Sequence, residues 1–195
     1  DVLVVANGGI RTGGGSDREK QNIEDMQPSL AYLTLDGGVD EIVRLPAAMH
    51  KASIRHLAAH QGLIAFAMQW EGDPADPVPL LGLHRKGQGT ARLFSADVAT
   101  QRAMQGYAGS IANDGETIAI TSPRGGQIHL FGQDGRFLAG LSRRDVCGVA
   151  AGPAGLVATD GMGGVLAVSD SVLRPLSRAR RAWDNHLVRV LAQPA

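Results

Sequence analysis

Three segments of the chain line up with one another: RHLAAHQGLIAFAM at residues 55–68, GSIANDGETIAIT at 109–121 and CGVAAGPAGLVATD at 147–160. Each contains an apolar stretch, a short turn and a second apolar stretch, with Leu57, Ile111 and Val149 in register. The segments recur at intervals near the roughly 40 residues typical of a β-propeller blade. Since a blade is a four-stranded antiparallel sheet, we predict that each segment is the inner hairpin of one blade.

The rest of the sequence has the same character. Its 26 glycines lie mostly beside Asp, Asn or another Gly, as in DGG at 36–38, NDG at 113–115 and QDG at 133–135. Glycine supplies the positive φ that tight turns between strands need. Only two weak helical stretches interrupt the short strands, at 22–26 and 96–104. The pattern therefore predicts an all-β chain of many short strands.

The repeat divides the chain into units. Complete four-stranded antiparallel blades are predicted at 49–95, 104–141 and 143–179, while 1–48 supplies three strands without a first and 181–195 supplies a first strand alone. Propellers commonly close their ring by completing one blade from both termini, which limits exposed strand edges. The prediction is thus a β-propeller segment of about four blades, either a closed ring or an arc of a larger one.

Composition and motifs exclude several classes of function. The 19 basic and 19 acidic residues of the 195 give a net charge of +0, so no basic face for nucleic acid is expected. No apolar run reaches the roughly 20 residues of a membrane span, and DVLVVANGG at 1–9 is not a signal peptide. There is no GxSxG, HExxH, EF-hand or CxxC motif, and the lone Cys147 suggests a buried thiol. The sequence predicts no catalytic residue.

Specific motifs throughout the chain carry a resemblance: NGGI at 7–10, REKQNIEDMQPSL at 18–30, HKASIRHLA at 50–58, QWEGDP at 69–74, YAGS at 107–110, TSPRGG at 121–126, DVCG at 145–148 and WDNHL at 183–187. With these motifs the sequence resembles the bacterial family catalogued as domain of unknown function 1513. The resemblance implies a seven-bladed propeller of which this chain is the C-terminal part, next to the remaining blades of the same protein. It also implies export to the periplasm and a link to iron acquisition, but no established activity.

Two histidines occupy equivalent positions in their units, His56 in SIRHLA at 53–58 and His186 in DNHLVR at 184–189. Near the start of an inner strand, each is predicted to face the central channel. Imidazole suits iron, copper or zinc, so a transition-metal ion is the cofactor to expect. The alternative is that both rings are hydrogen-bonded between blades. In a seven-bladed ring the two units are related by a rotation of roughly 150°, so the rings should face each other at a distance too wide for one ion.

Five other residues are candidates for binding a ligand or partner. Arg55 and Arg124 are expected to meet an anion or carboxylate at the mouth of the channel, or else to tie adjacent blades together. Asp184 would orient an imidazole, or cap a turn. Asn185 precedes His186 in its strand, and Trp70 opens a proline-rich loop at 69–79 that is suited to recognition, although the indole is also a natural packing residue.

Two functions from different classes remain open. The first is an exported, non-enzymatic propeller that binds a metal ion, a metal complex or a periplasmic partner protein at the channel mouth and serves bacterial iron handling. The second is a metal-dependent propeller enzyme, such as a hydrolase or a lactonase-like protein, in which a metal activates water. An enzyme needs a general base beside the metal, and Asp145 and Asp184 are the acids near the starts of inner strands.

Overall fold

The computed structural model describes residues 2–14, 19–169 and 171–190. These residues form antiparallel sheets, one of three strands and three of four, each with its strands in hairpin order. The predicted all-β architecture of antiparallel blades is confirmed. The four-stranded sheets occupy 52–94, 110–142 and 146–178, against predicted units of 49–95, 104–141 and 143–179.

The strands of the first two sheets are β1 (Leu3–Asn7), β2 (Ser29–Leu33) and β3 (Val39–Arg44), then β4 (Ala52–His60), β5 (Leu63–Trp70), β6 (Leu81–Arg85) and β7 (Arg92–Phe94). The third sheet consists of β8 (Ser110–Asn113), β9 (Thr117–Ser122), β10 (Gln127–Gly132) and β11 (Phe137–Ser142). The fourth consists of β12 (Val146–Gly152), β13 (Gly155–Asp160), β14 (Gly164–Ser169) and β15 (Val172–Arg178).

Helices are short and lie where the sequence predicts helical character. A single 3₁₀ turn at Ile23–Asp25 occupies the first predicted stretch. The helix α1 (Val98–Arg102) occupies the second, and the Asp97 carboxylate caps it by accepting hydrogen bonds from the backbone N–H groups of Ala99 and Thr100 at 3.1 Å. A further 3₁₀ turn lies at Ala47–Met49.

The repeat register proposed from the sequence appears in the strand pairing. Leu57 lies opposite Phe66 in the second sheet, and Ile111 lies opposite Ile120 in the third. Val149 lies opposite Ala158 in the fourth. The three residues thus occupy the same place in three successive first strands.

Apolar side chains pack between neighbouring sheets. Leu30 and Tyr32 of the first sheet meet Phe66 of the second. The other face of the second sheet packs against Ile118 and Phe131 of the third. The first strands also contact one another in order, β1 with β4, β4 with β8 and β8 with β12. They are therefore the inner strands, on the channel side of the arc.

The first and last sheets are not joined. No backbone pairing links them among the described residues, so the sheets form an open arc. The outward face of the first sheet is apolar and exposed, because Leu3 and Val39 lie across Leu33, while Val5 and Ile42 lie across Ala31. In the described part of the chain, no helix is long and apolar enough to cross a membrane.

The C-terminal segment differs from the prediction. Residues 181–190 form no strand, and 191–195 lie outside the described residues, so the structure shows no closing first strand in this stretch. The physical reason is that the segment packs through side chains. Leu187 rests on Gly148 of β12 and Asn185 on Gly109 before β8, which places the segment across the ends of the inner strands rather than along a strand edge.

One glycine in the core gives a test of this packing. Gly82 of β6 lies directly opposite Phe66 of β5, and a methyl group there would overlap the ring, which is fully buried. We expect Gly82→Ala to lower the free energy of unfolding by about 2 kcal/mol, because overpacking forces the ring to move. Chemical denaturation measures this loss. Gly14→Ala is the matched control, since nothing lies within 4 Å of a Cβ at that position; equal losses in the two variants would contradict the packing argument.

Candidate functional site

The two predicted histidines lie side by side. The ring centroids of His56 and His186 are 5.1 Å apart, with the planes tilted by 59°. The expectation that they face each other across the channel is therefore wrong. It assumed that His186 belongs to an inner strand three blades away, whereas the segment containing it runs back over the inner strands to His56. We define the channel mouth by six residues: Arg55, His56, Tyr107, Arg124, Asn185 and His186.

A β-bulge sets the position of His56. The pairing of β4 with β5 shifts between Ile54 and His56, so Arg55 drops out of the ladder. The pairing of β12 with β13 shifts at the corresponding place, between Val146 and Val149. A bulge bends its strand and re-aims its side chains, so Arg55 and His56 do not follow the regular alternation of a β-strand.

Two glycines bring the segment that carries His186 close to the inner strands. A Cβ on Gly148 would lie 2.8 Å from the Cβ of Leu187, and a Cβ on Gly109 would lie 3.2 Å from the Asn185 Oδ1. Any larger residue would push the segment away from the inner strands. The position of His186 beside His56 therefore depends on these glycines.

The electrostatics at His56 favour a neutral ring. Burial, the neighbouring His186 and the positive charge of Arg55 lower the pKa of His56 from 6.5 to about 4. None of the hydrogen bonds among the described residues involves either of the two rings. A neutral imidazole with a free nitrogen lone pair is the form that binds a metal ion.

Arg124 and Asn185 meet on Tyr107. The guanidinium carbon of Arg124 lies 4.2 Å from the centre of the Tyr107 ring, and the Asn185 amide donates a hydrogen bond to the Tyr107 hydroxyl at 3.3 Å. Arg124 is exposed and forms no ion pair with the described residues. Its side chain is thus oriented by stacking while its N–H donors remain available.

Arg55 lies toward the first sheet, with its Nη1 3.5 Å from the place that a Cβ on Gly8 would take. It is exposed and lines a cavity together with Ile10, Thr12 and Lys20. The Lys20 ammonium pairs with Glu71, whereas Arg55 has no acidic partner in the described part of the chain. Both arginines singled out from the sequence therefore present uncompensated positive charge near the channel mouth.

The other candidates have structural partners. The Asp184 carboxylate accepts a hydrogen bond from the Asn185 backbone N–H at 2.7 Å and forms no hydrogen bond or salt bridge with an imidazole of the described residues. The Trp70 indole N–H donates to Asp76 at 3.0 Å, and its ring packs against both adjoining cores. Burial, with Asp145 next in importance, raises the pKa of the Cys147 thiol to about 11, so this thiol stays protonated near neutral pH.

The histidine pair fits one metal ion by spacing. With a metal–nitrogen bond of about 2.1 Å, a ring centroid lies roughly 3.2 Å from the ion, so two rings on neighbouring positions have centroids about 4.6 to 5.3 Å apart. The observed 5.1 Å agrees with this. Among the described residues, however, no group of three His, Cys, Asp or Glu side chains could hold an ion. The protein supplies two imidazoles and no third ligand of these types from this part of the chain.

Tyr107 is the functional candidate that the sequence did not predict. It is the platform for both Arg124 and Asn185, and it precedes β8 by three residues. The available signal is YAGS at 107–110, in which an aromatic residue stands just before a glycine at the start of an inner strand.

Solved propeller-like structures resemble this fold. BamB from Moraxella catarrhalis has a TM-score of 0.57 and 14% identity, with 84% of this chain and 49% of that chain covered. The calcium-binding protein regucalcin from Agrobacterium tumefaciens has a TM-score of 0.52 and 13% identity, with coverage of 80% and 57%. A luciferin-regenerating enzyme has a TM-score of 0.53 and 12% identity, with coverage of 93% and 64%. The chain thus spans about half to two-thirds of their lengths, and the likeness shows the fold alone.

Sequence comparison gives one family and no characterised relative. No curated protein matches the chain. Residues 1–190 match the family model described as "Protein of unknown function (DUF1513)".

Proposed function

Because the chain belongs to the family described as protein of unknown function (DUF1513), which has no assigned activity, we propose a function from the channel mouth: the protein binds a transition-metal ion or metal complex there through His56 and His186. The observation that carries the proposal is the spacing of 5.1 Å between the two ring centroids. Two residues far apart in sequence are brought to the distance that a shared ion requires.

The location and the process are part of the same proposal. The resemblance described above associates such proteins with export to the periplasm and with iron handling. A periplasmic protein that holds a metal complex at one end of a propeller, or passes it to a partner protein, agrees with that association. These two points rest on the resemblance, while the metal site rests on the histidine geometry.

A binding protein is favoured over a metal-dependent enzyme. Hydrolysis by metal-activated water needs a general base close to the ion. The Asp184 carboxylate bonds to its neighbouring backbone, and the Asp145 carboxylate is packed against Gly161. Neither acid joins the histidines, so the described residues offer ligands without a base.

Metal titration tests the proposal. We expect His56→Ala and His186→Ala each to weaken the binding of Zn²⁺, Cu²⁺ or Ni²⁺ by at least about tenfold in isothermal titration calorimetry, because each variant removes one of two protein ligands. His60→Ala is the matched control, since His60 lies on the same strand but packs over Gly115 of the third sheet. Unchanged affinity in both channel-mouth variants, or an equal loss in His60→Ala, would overturn the proposal.

A further inference from the structure

The number of protein ligands limits what the channel mouth can hold. Iron, zinc and nickel ions in proteins usually take four or more ligands, and two come from His56 and His186. The described residues offer no cluster of three His, Cys, Asp or Glu side chains. The other positions are thus open to water or to a ligand that arrives with the ion.

The charges at the channel mouth indicate the chemical class of the additional ligand. The charge of Arg55 acts on His56, and Arg124 is connected to the histidine pair through Tyr107 and Asn185; neither arginine is neutralised by an ion pair with the described residues. Asp184 is the acid closest in sequence to His186, and its carboxylate accepts a hydrogen bond from its own backbone neighbour. Two guanidinium groups outnumber this carboxylate, so the charge favours an anionic complex over a bare cation.

Arg124 is also held in the orientation that a carboxylate requires. Stacking on Tyr107 at 4.2 Å fixes the plane of the guanidinium, and its outer N–H groups have no acceptor among the described residues. A planar guanidinium binds a carboxylate through two parallel hydrogen bonds. The amide of Asn185, next to His186 in sequence, lies on the same ring through its bond to the Tyr107 hydroxyl. Arg124 is thereby connected through Tyr107 to Asn185, the neighbour of His186 in sequence.

We propose that the ligand of the channel mouth is an anionic, carboxylate-bearing metal chelate, with the metal on His56 and His186 and a carboxylate of the chelator on Arg124. This inference rests on the proposed function, because it assigns the ligand class of the same site. Arg55, whose charge acts on His56, adds positive charge beside the histidines and strengthens the preference for an anion. The chelator completes the coordination that the protein leaves open.

Two nickel complexes of opposite charge separate this inference from simple metal binding. Nitrilotriacetate and tris(2-aminoethyl)amine are both tripodal, four-coordinate chelators that leave two neighbouring positions for imidazoles. The first makes an anionic complex with carboxylates, and the second makes a dication without them. We expect the anionic complex to bind the wild-type protein at least about tenfold more tightly, since guanidinium groups favour the anion.

Arginine variants test the role of the guanidinium. Arg124→Gln should reduce the preference for the anionic complex several-fold while leaving the affinity for the cationic complex unchanged or higher. Arg55→Gln should reduce the preference less, because its guanidinium is not held on an aromatic ring. Arg92→Gln is the matched control, since Arg92 also stacks on an aromatic ring, Phe94 at 5.3 Å, but on the outer strand of the second sheet.

The outcomes distinguish failure of the inference from failure of the proposed function. If both complexes bind equally and His186→Ala abolishes both, the metal site stands and the chelate inference is wrong. The same holds if Ni²⁺ binds but neither complex does, or if Arg124→Gln keeps the full preference. If Ni²⁺ and both complexes fail to bind, or bind independently of the histidines, both proposals fall.

Discussion

Asp160→Asn is expected to lower the free energy of unfolding by about 3 kcal/mol, because it breaks a buried ion pair on which a whole turn depends. The Asp160 side chain is 0% exposed. One carboxylate oxygen accepts a hydrogen bond from the Arg143 Nε at 2.7 Å, and the other accepts from the N–H groups of Met162 at 3.0 Å and Gly164 at 2.7 Å. Burial on its own raises the pKa of this carboxyl, but the Gly164 N–H and Arg143 outweigh it and hold the pKa below the usual 3.8.

Urea denaturation of the variant measures this effect. Asp40→Asn is the matched control, because the pair of Asp40 with Lys86 is on the surface, with side chains 40% and 47% exposed. An exposed pair contributes about 0.5 kcal/mol or less, so the control should be nearly as stable as the wild type. Similar losses in the two variants would show that burial of Asp160 does not matter.

His129 is expected to make the protein less stable in mild acid. Its ring is fully buried in β10, edge-on to Phe137 with centroids 5.3 Å apart, and neither nitrogen has a hydrogen-bond partner among the described residues. Burial lowers the pKa of His129 from 6.5 to about 4, against weaker opposing effects of the Asp97 carboxylate and the nearby Thr100 backbone. Between these two values the unfolded chain binds a proton that the folded protein does not, so the free energy of unfolding falls as the pH falls.

The share of His129 in that loss is about 3 kcal/mol between pH 6.5 and pH 4. We therefore expect His129→Leu to lose less stability than the wild type by about this amount over the same pH range, as measured by denaturation at a series of pH values. Ile120→Val, a core change without a titrating group, should instead lower stability equally at every pH. If the free energy of unfolding of His129→Leu fell with pH as steeply as that of the wild type, the effect would not come from the His129 ring.

The fold follows from the sequence to a large extent because its signals are local. Turn glycines such as Gly115 and Gly135 take positive φ values of 101° and 89°. Tight hairpin turns favour glycine because it adopts positive φ without strain. The register of Leu57, Ile111 and Val149 reflects packing that each sheet repeats with its neighbour. Periodicity and turn chemistry are properties of short stretches, which a single sequence displays directly.

The arrangement of the site does not follow in the same way. Five of the six channel-mouth residues, all but Tyr107, are candidates in the sequence, but the distance between His56 and His186 depends on the path of residues 183–187. That path is determined by contacts with Gly109 and Gly148, which belong to different sheets. A bulge adds one residue to β4 at Arg55, and such irregularities carry no clear sequence mark.

The segment that carries His186 makes the channel mouth a junction between distant parts of the chain. His56 belongs to the second sheet, while residues 183–187 follow the last sheet and contact the inner ends of the third and fourth. A ligand that joins both imidazoles closes a loop containing most of the folded chain, and so acts as a reversible cross-link comparable to a disulfide. Occupancy of the site would then raise the melting temperature as well as fill a binding site.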